Sequence, residues 1–235
     1  MAIERFDKEA AKWDSNPFIH SCAKQAQEAL LKHVPQLSRD DAKTTVDVLE
    51  IGCGTGVLSF LIAPYVRNIY AVDTSSGMID ALWAKLAAHE TIKNITPICT
   101  LLETPDDPIL QSADAGGQPK RFDVILCHLT LHHIPELEGI FSLMGDLLKP
   151  GGMIALTDYE DFGPEASKFH AKFKWDDVCR HGVKKEEAEK VMKEIGYADI
   201  NVARAFSCQK KLDESYGGGT MEFPFLLVMG KRPGS

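Results

Sequence analysis

Residues 48–56 read VLEIGCGTG, an apolar run that ends in three glycines, Gly52, Gly54 and Gly56. Main chain stripped of side chains, where a strand hands over to a helix, is how open α/β sheets bring a nucleotide-like ligand close to the backbone. The flanking sequence agrees. From residue 45 come short apolar runs, each except the last pair separated by a helical stretch: TVDVLEI (45–51), NIYAVD (68–73), ITPICTLL (95–102), FDVILCHL (122–129) and GGMIALTDY (151–159). Strands that are apolar almost throughout and separated by helices imply a parallel sheet covered on both faces, because a sheet with one wet face alternates polar and apolar residues.

The ends of the chain follow other patterns. Phe6, Ala10 and Trp13 recur at helical spacing, and Ser15-Asn16-Pro17 supplies a cap and a proline first turn for a second helix through about His33. A helix is also predicted from Val57 to about Val66, after the glycine turn. KKEEAEKVMKEIG (184–196) sets charges against Val191, Met192 and Ile195, which predicts a surface helix ended by glycine. ADINVARAFSCQKKL (198–212) and MEFPFLLVMGKR (221–232) read as two strands joined without a helix, an antiparallel pair at the sheet's end. SADAGGQPK (112–120) reads as a loop, not a boundary, so residues 1–235 are expected to form one domain.

Composition narrows the function. A chain of 235 residues with 44% hydrophobic and 26% charged content suits one domain with a full core, and a net charge of −8 argues against a nucleic-acid partner. Cys22, Cys53, Cys99, Cys127, Cys179 and Cys208 form no C-x-x-C pair, so neither a zinc site nor a disulfide framework is indicated. No apolar leader opens the chain and no run of apolar residues is long enough to span a bilayer, so a cytoplasmic address is expected, with the nucleus not excluded and no membrane partner.

In GCGTG the third glycine comes one position too early for the dinucleotide fingerprint G-x-G-x-x-G. Asp73, at the end of the next strand, stands at about the twenty-residue offset where a carboxylate accepts hydrogen bonds from ribose hydroxyls. An adenosine-bearing ligand is the reading. The alternative is a tight turn beside a solvated acid, and the ordered strand, turn, helix and acid favour the ligand.

VLEIGCGTG, AVDTSSGMID (71–80), FDVILCHLTLHHIPE (122–136) and LLKPGGMIALTDYE (147–160) resemble the successive signatures of class I S-adenosylmethionine-dependent methyltransferases. The likeness is nearest to the subgroup that includes ubiquinone and menaquinone biosynthesis enzymes. It covers residues 45–160 and, more loosely, the opening FDKEAAKWD (6–14). The resemblance implies a Rossmann-like, doubly wound seven-stranded sheet, mostly parallel with an antiparallel last strand and helices on both faces. It also implies an N-terminal helical lid (1–40), a cofactor-binding core (45–160), an acceptor-pocket insertion (161–183) and a C-terminal helix with antiparallel strands (184–235).

Carried over residue by residue, Glu50, Gly52, Gly54 and Gly56 would surround the methionine and ribose parts of S-adenosyl-L-methionine, with Cys53 a structural thiol in the same turn. Asp73 would bind the ribose, with Thr74, Ser75 and Met78 beside the adenosine. The family's acidic residue after the third strand is replaced by Leu101 and Leu102, of which Leu102 would pack on the adenine. Cys127, His128 and Leu129 would lie by the sulfonium end, and Trp13 would close the lid or else anchor the N-terminal helices. The implied reaction is a direct displacement that leaves S-adenosyl-L-homocysteine and needs no metal. The (N/D)-P-P-(Y/F) turn of enzymes that methylate amino groups of bases or glutamines is missing here.

A hydroxyl or thiol acceptor gains from losing its proton, and His128 is the candidate base. His132 and His133 are read instead as a structural helix start. Phe169, His170, Phe173, Trp175 and His181, with Asp158, are candidates for an acceptor pocket, although the same aromatics at helical spacing would equally pack a local helix. Three functions follow: methyl transfer to oxygen, sulfur or nitrogen of a small-molecule acceptor; a protein-directed methyltransferase or regulatory partner on the same fold; or a nicotinamide-dependent oxidoreductase. The last would want G-x-G-x-x-G and, for the short-chain type, a Y-x-x-x-K pair, and neither is present. The oligomeric state is left open.

Overall fold

Asn16 caps the second of two N-terminal helices, three residues after the first has ended. The computed structural model describes residues 2–110 and 119–232. Helix α1 (Ala2–Trp13) precedes α2 (Pro17–His33), where the Asn16 side chain accepts the Phe18 N–H at 3.0 Å and Pro17 fills the first turn. Short helices α3 (Pro35–Ser38) and α4 (Ala42–Thr45) lead into β1 (Asp47–Ile51). Helix α5 (Val57–Ile62) is shorter than predicted. Pro64 has no N–H to continue the ladder, and Ala63–Tyr65 form a 3-10 turn instead.

Strand β2 (Asn68–Asp73), α6 (Ser76–Ala88), β3 (Ile95–Cys99), β4 (Phe122–His128), α7 (Leu137–Leu147) and β5 (Leu148–Tyr159) complete the alternating part. After α8 (Lys185–Ile195), β6 (Ala198–Lys211) and β7 (Thr220–Lys231) form the hairpin, joined by a single 3-10 turn. The loop reading of 112–120 falls largely outside the described residues.

The seven strands lie in the order β3-β2-β1-β4-β5-β7-β6. β1 to β5 pair in parallel, while β7 is antiparallel to both β5 and β6. Alternation along the central strands makes the sheet two-faced: Val48, Val124 and Leu126 pack with Leu30, Ile62 and Leu82, whereas Leu49, Ile125 and Cys127 pack with Phe141, Met144 and Met192. Fully buried Phe122, Phe141, Phe223 and Phe225 each contribute about 2–3 kcal/mol by leaving water. The winding reverses between β1 and β4, and the crevice beyond their carboxyl ends is where such sheets receive ligands. Among the described residues no helix is long and apolar enough to cross a membrane, and all six cysteines are unpaired.

Candidate active site

Where β1 ends, the Gly52 and Cys53 N–H groups both donate to the Val72 carbonyl, at 2.8 and 3.0 Å, so the glycine turn stays tied to β2. Asp73 tightens that tie. Its carboxylate accepts the Gly54 N–H at 2.8 Å and the Ser75 N–H at 2.9 Å. Glu50, on β1, accepts the Ser59 hydroxyl. Burial pushes the Glu50 carboxyl up to about 7, and burial likewise raises Asp73, against the pull of its backbone N–H donors. Neither acid has a basic partner among the described residues.

The glycines serve different neighbours. Gly52 (φ +73°) faces Thr130: an added Cβ would stand 2.3 Å from its hydroxyl oxygen. That space is therefore filled by the protein and not kept for a ligand. At Gly54 (φ +53°) the nearest atoms are Trp13 Nε1 at 3.8 Å and Met78 Sδ at 4.0 Å, so its main chain is bare toward the cavity. Gly56 gives room to Leu82 of α6.

A cavity of about 870 Å³ spans the ends of β1 to β4 beneath α1 and α2. On one side its wall is Glu50, Gly52, Cys53, Gly54, Asp73 and Thr74, with Met78, Leu101 and Leu102 continuing it and Trp13 above. On the other side stand His128, Leu129, Phe169 and His170. Several expected site residues lie elsewhere. Gly56 is turned to α6. Ser75 caps that helix, accepting the Met78 N–H at 3.1 Å and donating to Asp7 at 2.6 Å. Cys127, adjacent to His128 on β4, alternates into the core. Asp158 sits behind the wall, and Phe173 (75% exposed) and Trp175 point away, the latter against His181. The segment 161–183 forms two 3-10 turns, Pro164–Phe169 and Lys172–Asp177, so the helical spacing that would have gathered its aromatics does not apply.

His128 Nδ1 is 2.8 Å from the Thr157 hydroxyl, while Nε2 is buried without a partner. Burial pulls its pKa down to about 4, so the ring is neutral near pH 7. His132 is no mere helix start: its Nδ1 lies 2.9 Å from the Asp158 carboxylate, which also accepts the His132 and Tyr159 backbone N–H groups at 3.1 and 2.8 Å. His133 donates from Nδ1 to the Asp177 carbonyl at 2.9 Å, and burial lowers its pKa to about 4. Burial and nearby cationic groups hold His170 well below the usual imidazole range. One ring nitrogen each from His132, His133 and His170 lies within 4.8 Å of the others. Tetrahedral zinc would draw its nitrogen ligands to about 3.4 Å apart; here the His132 ring packs against those of His133 and His170, with centroids 4.1 and 5.0 Å away.

The N-terminal segment is fastened at several points. Asp7 accepts the Ser75 hydroxyl and, at 2.9 Å, the Gly77 N–H. Asp14 pairs with Lys85 at 2.6 Å, and Arg5 pairs with Asp177. Sequence motifs did not mark Arg5, Thr130, Lys174 or Lys210, all of which line the cavity. A signal existed for Lys210, because strand alternation sets it on the face of buried Cys208.

Residues 22–202 match the protein family described as Methyltransferase domain. A Schizosaccharomyces pombe protein named an uncharacterized methyltransferase is 28% identical over 176 residues, 70% of this chain and 57% of that one. A ubiquinone biosynthesis O-methyltransferase of Colwellia psychrerythraea is 27% identical over 161 residues, 65% of this chain and 61% of that one. The chain thus spans less than two thirds of the length of either curated relative. The YcgJ protein of Bacillus subtilis shares the fold, with a TM-score of 0.66 over 89% of this chain and 99% of its own at 15% identity. Glycine turn, following acid, sheet order and a match over most of its length agree: the chain belongs to the Methyltransferase domain family.

Proposed function

We propose that the protein is an S-adenosyl-L-methionine-dependent methyltransferase acting by direct displacement on oxygen, sulfur or nitrogen of a small-molecule acceptor. The observation that carries this reading is the pair of carboxylates, buried Glu50 and half-buried Asp73, that line one side of the cavity with no ion-paired basic side chain among the described residues. Such a wall suits a ligand that brings a positive charge and a ribose with paired hydroxyls. The other residues fit the same ligand: Gly54 leaves main chain bare, and Met78 and Leu102 offer apolar surface to a base. When bound, the cofactor supplies a methyl group activated by positive sulfur.

The chain's own work is to position and to exclude water. α1 and α2 roof the cavity, and Leu129, Phe18 and Phe169 give its far side an apolar lining for the acceptor. A hydroxyl or thiol must shed its proton to an imidazole. His128, neutral and with Nε2 unpaired, accepts a hydrogen bond from it; His132, a cavity residue whose ring is oriented by Asp158 at Nδ1, is the group placed to take the proton. The name of the Colwellia relative favours oxygen as the accepting atom. Six unpaired cysteines accord with a reducing, cytoplasmic address.

Calorimetry tests the reading. S-adenosyl-L-homocysteine binds and NADH does not, and Asp73→Ala weakens binding by at least ten-fold, the loss of a charge-assisted hydrogen bond of about 1.5–3 kcal/mol. Tighter binding of NADH overturns the proposal.

A further inference from the structure

The cavity is electrically polarised. Glu50 and Asp73 stand at the ends of β1 and β2, while Arg5, Lys174 and Lys210 line the opposite part. The backbones of β1 and β6 are four strand spacings apart, roughly 19 Å. Of these three, two are matched, Arg5 by Asp177 and Lys174 by Glu9 at 2.7 Å, while the fourth cation of the lining, Lys12, is exposed.

Lys210 is not matched. Its Nζ lies over the Phe18 ring at 4.2 Å from the centroid and over the Phe169 ring at 4.6 Å, and among the described residues no carboxylate comes within ion-pair distance. Lys174 acts on it as a like charge and repels it. The neighbouring Cys22 thiol is kept protonated by burial, so no thiolate there balances the ammonium. Burial pulls the Lys210 pKa down to about 8, which leaves it charged near neutrality. Two aromatic faces compensate only part of an ammonium's lost hydration.

We propose that Lys210 is the seat of an anionic group, a carboxylate or a phosphate, borne by the methyl acceptor on an apolar or aromatic body that packs against Phe18 and Leu129. The inference rests on the methyltransferase reading for which side of the cavity takes the acceptor. The two rings hold the ammonium from the protein side, and the anion completes its coordination. The acid wall and the Lys210 wall then sort the two ligands by charge, the cationic cofactor to one side and the anionic acceptor to the other.

The test is a binding measurement without turnover. Benzoate, phenyl phosphate and the neutral benzyl alcohol are titrated calorimetrically into wild type, Lys210→Met and Lys210→Arg, each with and without S-adenosyl-L-homocysteine. At least one anion binds wild type ten-fold or more tightly than benzyl alcohol, equivalent to about 1.4 kcal/mol. Lys210→Met, which keeps an unbranched apolar stem over the rings, abolishes the preference, and Lys210→Arg retains it. Which anion binds better distinguishes carboxylate from phosphate. Equal affinities, undetectable binding of both anions, or a preference that survives Lys210→Met overturns the proposal. Binding of S-adenosyl-L-homocysteine to wild type is read separately: its failure removes the methyltransferase reading, while its success with no anion preference removes this inference alone.

Discussion

Glu50 offers the sharpest test of how the acid wall is built. Its side chain is 2% exposed, and burial lifts its carboxyl from an ordinary 4.5 to about 7. The folded protein therefore holds this proton more tightly than the unfolded chain does. The resulting stabilisation is complete below pH 4.5 and lost as pH rises through about 7, a swing of about 3 kcal/mol. Glu50→Gln keeps the shape and an oxygen for the Ser59 hydroxyl but removes the titration. In urea unfolding, wild type and variant should match at low pH, and the variant should be the more stable by about 3 kcal/mol once Glu50 is fully ionised. Calorimetry supplies a second readout. Near pH 7 the free carboxyl is about half protonated, so a cationic ligand seated beside it expels about half a proton, seen as a dependence of binding heat on buffer ionisation. The variant releases none from this site. Parallel stability profiles for the two proteins, or equal proton release, would refute the reasoning.

Gly52→Ala and Gly54→Ala should part company although both positions have positive φ. The first forces a methyl group to 2.3 Å from the Thr130 hydroxyl and costs about 2–4 kcal/mol, partly recovered by Thr130→Gly; the second costs about 1 kcal/mol, read by chemical denaturation, and acts chiefly on cofactor affinity. With an active hydroxyl or thiol acceptor identified by labelled-methyl screening, His132→Ala should lower kcat at least a hundred-fold and His128→Ala about ten-fold, with S-adenosyl-L-homocysteine affinity within two-fold of wild type for both. A larger loss at His128 would reverse the two roles.

The order of the elements and the position of Asp73 were legible because they rest on local signals: runs of apolar residues, a glycine turn, an acid one strand later. Facts that depend on distant partners were not. Gly52 is small on account of Thr130, which lies 78 residues away, and nothing near the glycine names that neighbour. Asp158 and His132 meet only because β5 runs beside β4, so a histidine read as a helix start proves to be carboxylate-bound. Pairing Cys127 with His128 as site residues overlooked the alternation of a strand, which sends neighbours to opposite sides. Phe169, Phe173 and Trp175 share one long connection that reads as a pocket wall or a local helix; two 3-10 turns stand in place of the helix, and of the three only Phe169 lines the cavity. Arg5 and Lys174 carry no motif at all; their places follow from how the first helix settles on the sheet.

That helix has a consequence for traffic through the protein. Asp7 and Asp14 grip the rim where α6 and the glycine turn meet, while Arg5 and Glu9 grip Asp177 and Lys174 across the way. One helix is thus fastened at both ends of a single cavity. For the proposed enzyme this means that any movement uncovering one ligand also loosens the cover over the other.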